Sequence, residues 1–216
     1  MTDHCPLCGC DAAKAFHEDA RRAYLRCARC ALVFVPRRHH LSRDEEHREY
    51  LLHENDVEDE GYRRFLSRLA QPLDARLAPA SAGLDFGCGP APALAQLLRE
   101  RGHTVALYDS FFAPDPAVLE QRYAFVTATE VVEHLHEPGR ELQTLWSLLG
   151  DGGHLAVMTK LVRSREAFAG WHYIRDPTHV CFFSRGTWEW WAEREGAALD
   201  FVGDDVIFLR REPRPA

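Results

Sequence analysis

Several features of other protein classes are missing from this 216-residue sequence. No apolar run approaches the ~20 residues of a transmembrane helix, and the start, MTDHCPLCGC, lacks the basic and apolar segments of a signal peptide. We therefore expect a cytoplasmic protein. An excess of positive charge is also missing: the formal net charge is −7, which argues against a ligand bound through a phosphate backbone. We find no internal repeat and no low-complexity tract.

The charge that is present is unevenly distributed. Residues 41–62 contain nine acidic side chains and two arginines, whereas residues 1–40 contain seven basic and four acidic side chains. Such a change in composition indicates a boundary between modules. We predict an N-terminal module at 1–40, an acidic helical cap or linker at 41–80 and a core at 81–210.

Cysteines define the N-terminal module. Five of the seven lie within the first 30 residues, and two Cys-x2-Cys pairs are separated by 18 residues. Each pair can place two thiolates on one tetrahedral ion, and the intervening stretch is long enough for a hairpin. Because a cytoplasmic chain disfavours disulfides, we predict a zinc ribbon with a structural Zn²⁺. Its ligands are Cys5, Cys8, Cys27 and Cys30, with Cys10 as a substitute.

A strand-turn-helix-strand unit begins the core. AGLDFGCGPAPALAQLLRERG is read as a strand ending at Asp85, a turn containing Gly87 and Gly89, and a helix. The next strand, in HTVALYDS, ends at Asp109, 20 residues after Gly89. Glycines in such a turn let the backbone approach an adenosine-type ligand, and the second acid accepts hydrogen bonds from ribose hydroxyls.

LDFGCG resembles the first motif of class I S-adenosylmethionine-dependent methyltransferases, and Pro92 stands where a dinucleotide fingerprint has its third glycine. The resemblance covers about residues 81–210 and includes YAFVTATEVVEHLHEP, LWSLLGDGGHLAVMTK and DFVGDDVIFLRR. It implies an α/β fold with a Rossmann-like, mainly parallel sheet and helices on both faces. It further implies these contacts with S-adenosylmethionine: Asp85, Phe86, Gly87, Cys88, Gly89, Asp109, Ser110, Phe111, Ala128 and Thr129.

TATEVVEHLHEP places Glu130, Glu133 and His134 at positions i, i+3 and i+4 of an expected helix start. In this family the segment that follows the fourth strand lies beside the methyl group of the cofactor, at the carboxyl edge of the sheet. The pattern E-x-x-E-H resembles O-methyltransferases of ubiquinone biosynthesis, in which such residues are associated with a divalent metal. RDPTHVCFFSRGTW is similar to their GTH stretch and adds His179, although Pro177 replaces the glycine.

Three interpretations of these four residues stay open. They could hold a second divalent metal that lowers the pKa of an acceptor hydroxyl, or His134 or His179 could act as a general base. Alternatively, the acids only complement a helix dipole. Other candidates are pocket residues in the acidic segment (Tyr50, His53, Asn55, Asp56 and Tyr62) and an aromatic wall (Trp171 and Tyr173).

The leading hypothesis is a methyltransferase that acts at oxygen of a small or tethered substrate. The alternative is an RNA methyltransferase that recognises its substrate through the zinc ribbon, because ribosomal-RNA guanine methyltransferases also join a four-cysteine module to this fold. Against it, TATE lacks the Asn/Asp-Pro-Pro-aromatic motif, and the neighbouring segment is acidic. A third hypothesis is a non-enzymatic module that binds cofactor or partner.

Overall fold

The computed structural model describes residues 4–52 and 56–212. Within these ranges, no helix combines the length and the apolar character that crossing a bilayer requires. Strands and α-helices follow one another in this order: β1 (Ala13–Glu18), β2 (Ala23–Cys27), β3 (Val33–Phe34), α1 (Arg43–Tyr50), α2 (Glu60–Asp74), β4 (Ala82–Phe86), α3 (Ala93–Glu100), β5 (Thr104–Tyr108), β6 (Tyr123–Thr129), α4 (Pro138–Ser147), β7 (Leu149–Met158), α5 (Arg165–Ala169), β8 (Cys181–Phe182), α6 (Arg185–Glu195), β9 (Ala197–Val202) and β10 (Val206–Arg211).

The described residues form two compact units. The sheet unit comprises 56–131, 144–158 and 196–212, and the cysteine unit comprises 4–52, 132–143 and 159–195. These units are defined by spatial contact, whereas the division at residues 40 and 80 is defined by composition and stays a prediction.

The sheet unit contains six strands in the order β5-β4-β6-β7-β10-β9. Strands β5, β4, β6 and β7 are parallel, while β10 runs antiparallel to both β7 and β9. The amphipathic helices α2 and α3 bury leucines against this sheet, with Phe125 of β6 fully buried in the same core. The predicted Rossmann-like α/β fold is confirmed, including the closing hairpin.

The parallel strands bring their carboxyl ends to one edge of the sheet. Asp85 pairs with Leu107 of β5 and with Thr127 of β6. A Cβ atom on Gly83 would lie 2.1 Å from the Phe125 ring, so only glycine allows β4 to pack this closely. The residues that follow β4, β5 and β6 therefore lie near one another.

The cysteine unit contains a four-stranded sheet in the order β1-β2-β3-β8. Strands β1 and β2 form an antiparallel hairpin, and β3 pairs with β8 from the distant end of the chain. The segment that precedes α6 thus completes the sheet begun by the N-terminal cysteine-rich segment.

The helix expected to start at Glu130 is absent from the described chain, and that prediction is wrong. Glu130 has a φ of 52°, which a right-handed helix does not allow, and residues Val132–His134 form a single 3-10 turn. The helix α4 begins at Pro138, because proline suits a first helical position and disfavours helical backbone in the residue before it.

Candidate functional site

Asp85, the acid of the glycine motif, is buried at the end of β4 and 4% exposed. The Thr127 hydroxyl donates a 2.7 Å hydrogen bond to its Oδ1 atom. Burial raises the pKa of Asp85 to about 6, although the Thr127 hydrogen bond acts in the opposite direction. The carboxyl group therefore changes charge close to neutral pH.

The two glycines of the turn have different constraints. Gly87 (φ +71°) would place a Cβ atom 2.4 Å from Val131 Cγ2, so both backbone and space require glycine. Gly89 (φ +63°) would place its Cβ in open space, with no atom of the described chain within 4 Å. The turn thus packs tightly at Gly87 and leaves room for a ligand at Gly89. Phe86 and Cys88, between and beside them, are half-buried.

Asp109 lies opposite this turn and is fixed by backbone amides. Gly89 N donates to its Oδ2 atom at 3.0 Å, and the amides of Phe111 and Phe112 donate to Oδ1 at 2.8 and 3.1 Å. Oδ2 accepts only one of these bonds, so it retains a further lone pair that can accept a ribose hydroxyl. Ser110 is exposed and Phe111 is half-buried at the same strand end.

The end of β6 borders the same edge. Ala128 is fully buried, and the buried Thr129 hydroxyl has no hydrogen-bond partner among the described residues. Burial and then the charges of Asp85 and Glu130 raise the pKa of Tyr62, so this tyrosine of α2 lies within electrostatic range of both carboxyls. An orphaned hydroxyl and open space at Gly89 suit a ligand with polar groups.

Two of the other pocket candidates of the acidic segment, Tyr50 and Asp56, lie within the described residues. Tyr50 of α1 contacts the His134 ring edge-on in the cysteine unit, at 5.4 Å between centroids. Asp56 caps a turn by accepting a hydrogen bond from Glu58 N at 2.9 Å. His53 and Asn55 fall outside the described residues.

Glu133, His134 and His179 come together in the cysteine unit, with one donor atom of each within 4.8 Å of the others. We call them the acid-imidazole cluster. Glu130 is not a member of this group. Glu133 is fully buried, and its two carboxylate oxygens accept hydrogen bonds from the hydroxyls of Tyr173 and, at 3.0 Å, Thr159.

Hydrogen bonds orient both imidazoles of this cluster, whose ring centroids are 4.6 Å apart. His179 Nδ1 lies 2.8 Å from the Tyr173 carbonyl oxygen and must donate to it. Thr178 Oγ1 lies 2.6 Å from Asp176 Oδ1 and 2.9 Å from His134 Nδ1. Because a carboxylate only accepts, the hydroxyl proton goes to Asp176, and His134 Nδ1 donates to Thr178. In the neutral form of each ring, Nε2 is then the nitrogen with the lone pair.

Asp176 supports this arrangement with a negative charge. Burial acts to raise the pKa of Asp176, but the hydrogen bond from the Thr178 hydroxyl and the charge of His179 outweigh it and hold the pKa below its usual value. Its Oδ2 atom lies 3.7 Å from His179 Nε2. A positive charge on either imidazole is stabilised by this carboxylate.

Sequence reasoning missed Asp176, Thr178 and Thr159 as members of this network. The only signal for the first two was their place in the RDPTHV stretch around His179. Tyr173, expected in an aromatic wall, packs with Trp171 at 4.9 Å between ring centroids and also donates to Glu133.

The four cysteines of the two pairs form a second cluster, with all four sulfur atoms within 4.8 Å of one another. The Sγ atoms are 3.5 Å apart for Cys5–Cys30 and for Cys8–Cys27. Tetrahedral zinc with bonds of ~2.3 Å requires sulfur atoms roughly 3.8 Å apart, so the donor set fits. Cys10 is buried but is not among the four.

A family model described as "Methyltransferase domain" matches residues 53–200. A solved structure of the 1,6-didemethyltoxoflavin-N1-methyltransferase of Burkholderia thailandensis, with bound 1,6-didemethyltoxoflavin and S-adenosylhomocysteine, is similar at 16% identity and a TM-score of 0.52, covering 93% of this chain and 100% of that one. An O-methyltransferase family protein of the same organism is similar at 13% identity and a TM-score of 0.50, covering 79% of this chain and 64% of that one. No curated protein matches the sequence significantly.

Proposed function

Because the chain belongs to the methyltransferase-domain family and is an S-adenosylmethionine-dependent methyltransferase, we propose that it methylates a hydroxyl oxygen of a small or carrier-tethered acceptor. The non-enzymatic hypothesis is thereby set aside. The observation that carries the proposal is the Asp176–Thr178–His134 hydrogen-bond chain, which places the lone pair of the neutral His134 ring on Nε2, beside a second imidazole whose Nδ1 atom is also anchored.

The sheet unit would hold the cofactor, which supplies an electrophilic methyl group. Asp85 and the backbone around Gly87 and Gly89 would hold its methionine part, and Asp109 its ribose. Ser110 and Phe111 would reach the adenine, and Ala128 and Thr129 would border the sulfonium. The fixed Asp109 carboxylate and the open space at Gly89 support this assignment.

The cysteine unit would activate the acceptor. His134 is half-buried and its Nδ1 atom is anchored, so Nε2 can remove a proton from an acceptor hydroxyl near neutral pH. Asp176 would stabilise the resulting imidazolium through Thr178, as a carboxylate does in other hydrogen-bonded histidine systems. Each carboxylate oxygen of Glu133 accepts a hydrogen bond from one hydroxyl, which suits an orienting role. Glu130 stays a predicted member of the site without an assigned step.

A second candidate for acceptor activation is a divalent ion. It is favoured by one observation, the convergence of donor atoms from Glu133, His134 and His179 within 4.8 Å. Two imidazoles and a carboxylate suit a transition metal better than Mg²⁺. Bound there, an ion would lower the pKa of an acceptor hydroxyl.

We further propose that Cys5, Cys8, Cys27 and Cys30 hold one structural Zn²⁺. The Arg29 amide donates to Cys27 Sγ at 3.3 Å, a backbone contact that orients the thiolate toward a metal. Four thiolate ligands leave no open position on the ion, so it would stabilise the fold and not take part in chemistry. Reduced thiols of this kind favour a cytoplasmic location.

Transfer of radiolabelled methyl groups tests the proposal. Purified enzyme and labelled S-adenosylmethionine are incubated with a whole-cell extract, and small-molecule, protein and RNA fractions are counted separately. We expect label in the small-molecule or carrier-protein fraction. The labelled product should resist acid, and mass spectrometry should identify it as a methyl ether or a methyl ester. Label confined to RNA would replace this proposal by the RNA methyltransferase alternative.

A further inference from the structure

The tip of the β1–β2 hairpin holds an arginine in an unusual position. Arg22 is only 6% exposed. Its guanidinium donates to three backbone carbonyl oxygens of one turn, those of Ile174 at 3.0 Å, Asp176 at 2.8 Å and Pro177 at 3.0 Å. Its Nε atom donates to the Tyr24 hydroxyl at 3.0 Å.

The hairpin tip is itself rigidly bonded. Asp19 accepts hydrogen bonds from the amides of Arg21 and Arg22 at 2.8 and 2.9 Å, and from the Tyr24 hydroxyl at 2.9 Å. The exposed Arg21 side chain adds bonds to the carbonyl oxygens of Ile174 and Arg175 at 3.0 and 2.7 Å. Two adjacent arginines therefore contact all four carbonyls of residues 174–177.

These four residues include one group that orients the acid-imidazole cluster and directly precede two further members of its network. Asp176 belongs to the turn, and Thr178 and His179 follow it. Burying a guanidinium is costly unless its donors are satisfied, and here every described acceptor of the Arg22 side chain except Tyr24 lies in this turn. The bonding of Arg22 thus fixes the backbone that presents Asp176 and Thr178 to His134.

We propose that Arg22 is a positioning residue for methyl transfer, and that the cysteine-rich hairpin holds the loop of the acid-imidazole cluster in place. The inference rests on the proposed function of that cluster. The zinc ligands lie at the base of the hairpin, since Cys5 and Cys8 precede β1 and Cys27 ends β2. A zinc ion held by these cysteines would close the base, while Arg22 at the tip holds the loop.

Three variants test this inference: Arg22→Gln, Arg22→Lys and the control Arg26→Gln. Arg26 is an exposed arginine of the same hairpin, and its guanidinium lies over the Phe16 ring. Amide hydrogen exchange reports on the loop without an acceptor, because Thr178 N donates to Asp176 Oδ1 and Val180 N to the Glu133 carbonyl. We expect Arg22→Gln to speed exchange of these amides roughly tenfold or more with zinc content unchanged.

Methyl transfer into the extract fraction that the parent enzyme labels gives the second readout. We expect Arg22→Gln to lower the rate at saturating S-adenosylmethionine by roughly 10²-fold, since misplaced groups reduce turnover. The concentration of S-adenosylmethionine that gives half of the maximal rate should stay within about twofold of the parent value. Arg22→Lys should lie between Gln and the parent, because lysine keeps the charge but not the forked donors. Arg26→Gln should match the parent in both readouts.

Unchanged exchange at Thr178 and Val180 in Arg22→Gln, or parental turnover in that variant, would overturn the inference. If Arg22→Gln loses zinc or unfolds, Arg22→Lys decides by the same two readouts. A parent enzyme that labels no fraction would contradict the proposed function instead, and hydrogen exchange would still show whether Arg22 holds the loop.

Discussion

Thr178 Oγ1 lies 2.9 Å from Nδ1 of His134, although 44 residues separate them along the chain. The same hydroxyl donates to Asp176, so a carboxylate is connected to an imidazole through one side chain. This relationship fixes which ring nitrogen of His134 carries the hydrogen in the neutral form, and it leads to the first prediction.

Replacing His134 by Gln should lower turnover on the order of 10²–10⁴-fold, because Gln keeps hydrogen-bonding ability but cannot act as a base. Thr178→Val should have a smaller effect in the same direction, since it breaks the link to Asp176. Turnover is measured at saturating S-adenosylmethionine, and cofactor affinity by calorimetry. His39→Gln, in the same unit, is the control. Parental turnover in His134→Gln would contradict the general-base assignment.

Chelation distinguishes the general-base interpretation from the metal interpretation. If His134 acts as a base, a chelator that leaves the cysteine-bound zinc in place should not change turnover. Loss of activity that divalent ions restore, while the cysteine-bound zinc stays in place, would instead favour an ion at Glu133, His134 and His179. Under the metal interpretation, divalent ions should then fail to restore activity in Glu133→Gln.

The affinity for S-adenosylmethionine should fall as the pH drops through about 6. The pKa of Asp85 is raised to about 6 by burial, so the carboxyl is ionised above that pH and neutral below it. Only the ionised form attracts the positive charges of the cofactor. Calorimetry between pH 5 and pH 8 measures the break, which Asp85→Asn should remove. Thr127→Val should move the break to higher pH, because the Thr127 hydrogen bond lowers the Asp85 pKa.

Asp109→Ala should weaken S-adenosylmethionine binding by about 1.5–3 kcal/mol through the loss of charge-assisted hydrogen bonds. Asp151→Ala, at an exposed aspartate of the sheet unit, is the control. Gly87→Ala should destabilise the fold, since its Cβ would lie 2.4 Å from Val131. Gly89→Ala should fold, but it should bind the cofactor poorly. Parental affinity in both Asp109→Ala and Gly89→Ala would place the ligand elsewhere.

The purified chain should contain one tightly bound zinc ion. Cys5→Ser or Cys27→Ser should release it and loosen the hairpin, while the sheet unit stays folded because it contributes no ligand. Cys10→Ser should retain zinc, since Cys10 is buried near the same turn but is outside the four-sulfur cluster. Elemental analysis and thermal unfolding measure both effects. A metal-free protein, purified without chelator, would exclude the zinc proposal.

The fold and most of the candidate site residues could be predicted from local sequence. The glycine turn after a buried strand, the acid that ends the next strand and the paired cysteines each depend on residue type at short spacing, so they were visible without a structure. Glu133, His134 and His179 were also named from motifs. The helix expected at Glu130 was wrong, because left-handed backbone at Glu130 and proline at 138 outweighed the i, i+3, i+4 pattern.

Only the tertiary structure decided which groups support the cluster. The pairing of β3 with β8 and the bonds from Arg22 to residues 174–177 join segments about 150 positions apart in the chain. A bond to a backbone carbonyl requires no particular residue at the accepting position, so it leaves no pattern in the sequence. The amino-acid sequence alone thus determined the sheet, the glycine turn and the pairing of the four cysteines that are predicted to hold zinc, whereas chain folding determined how the loop of His179 is held.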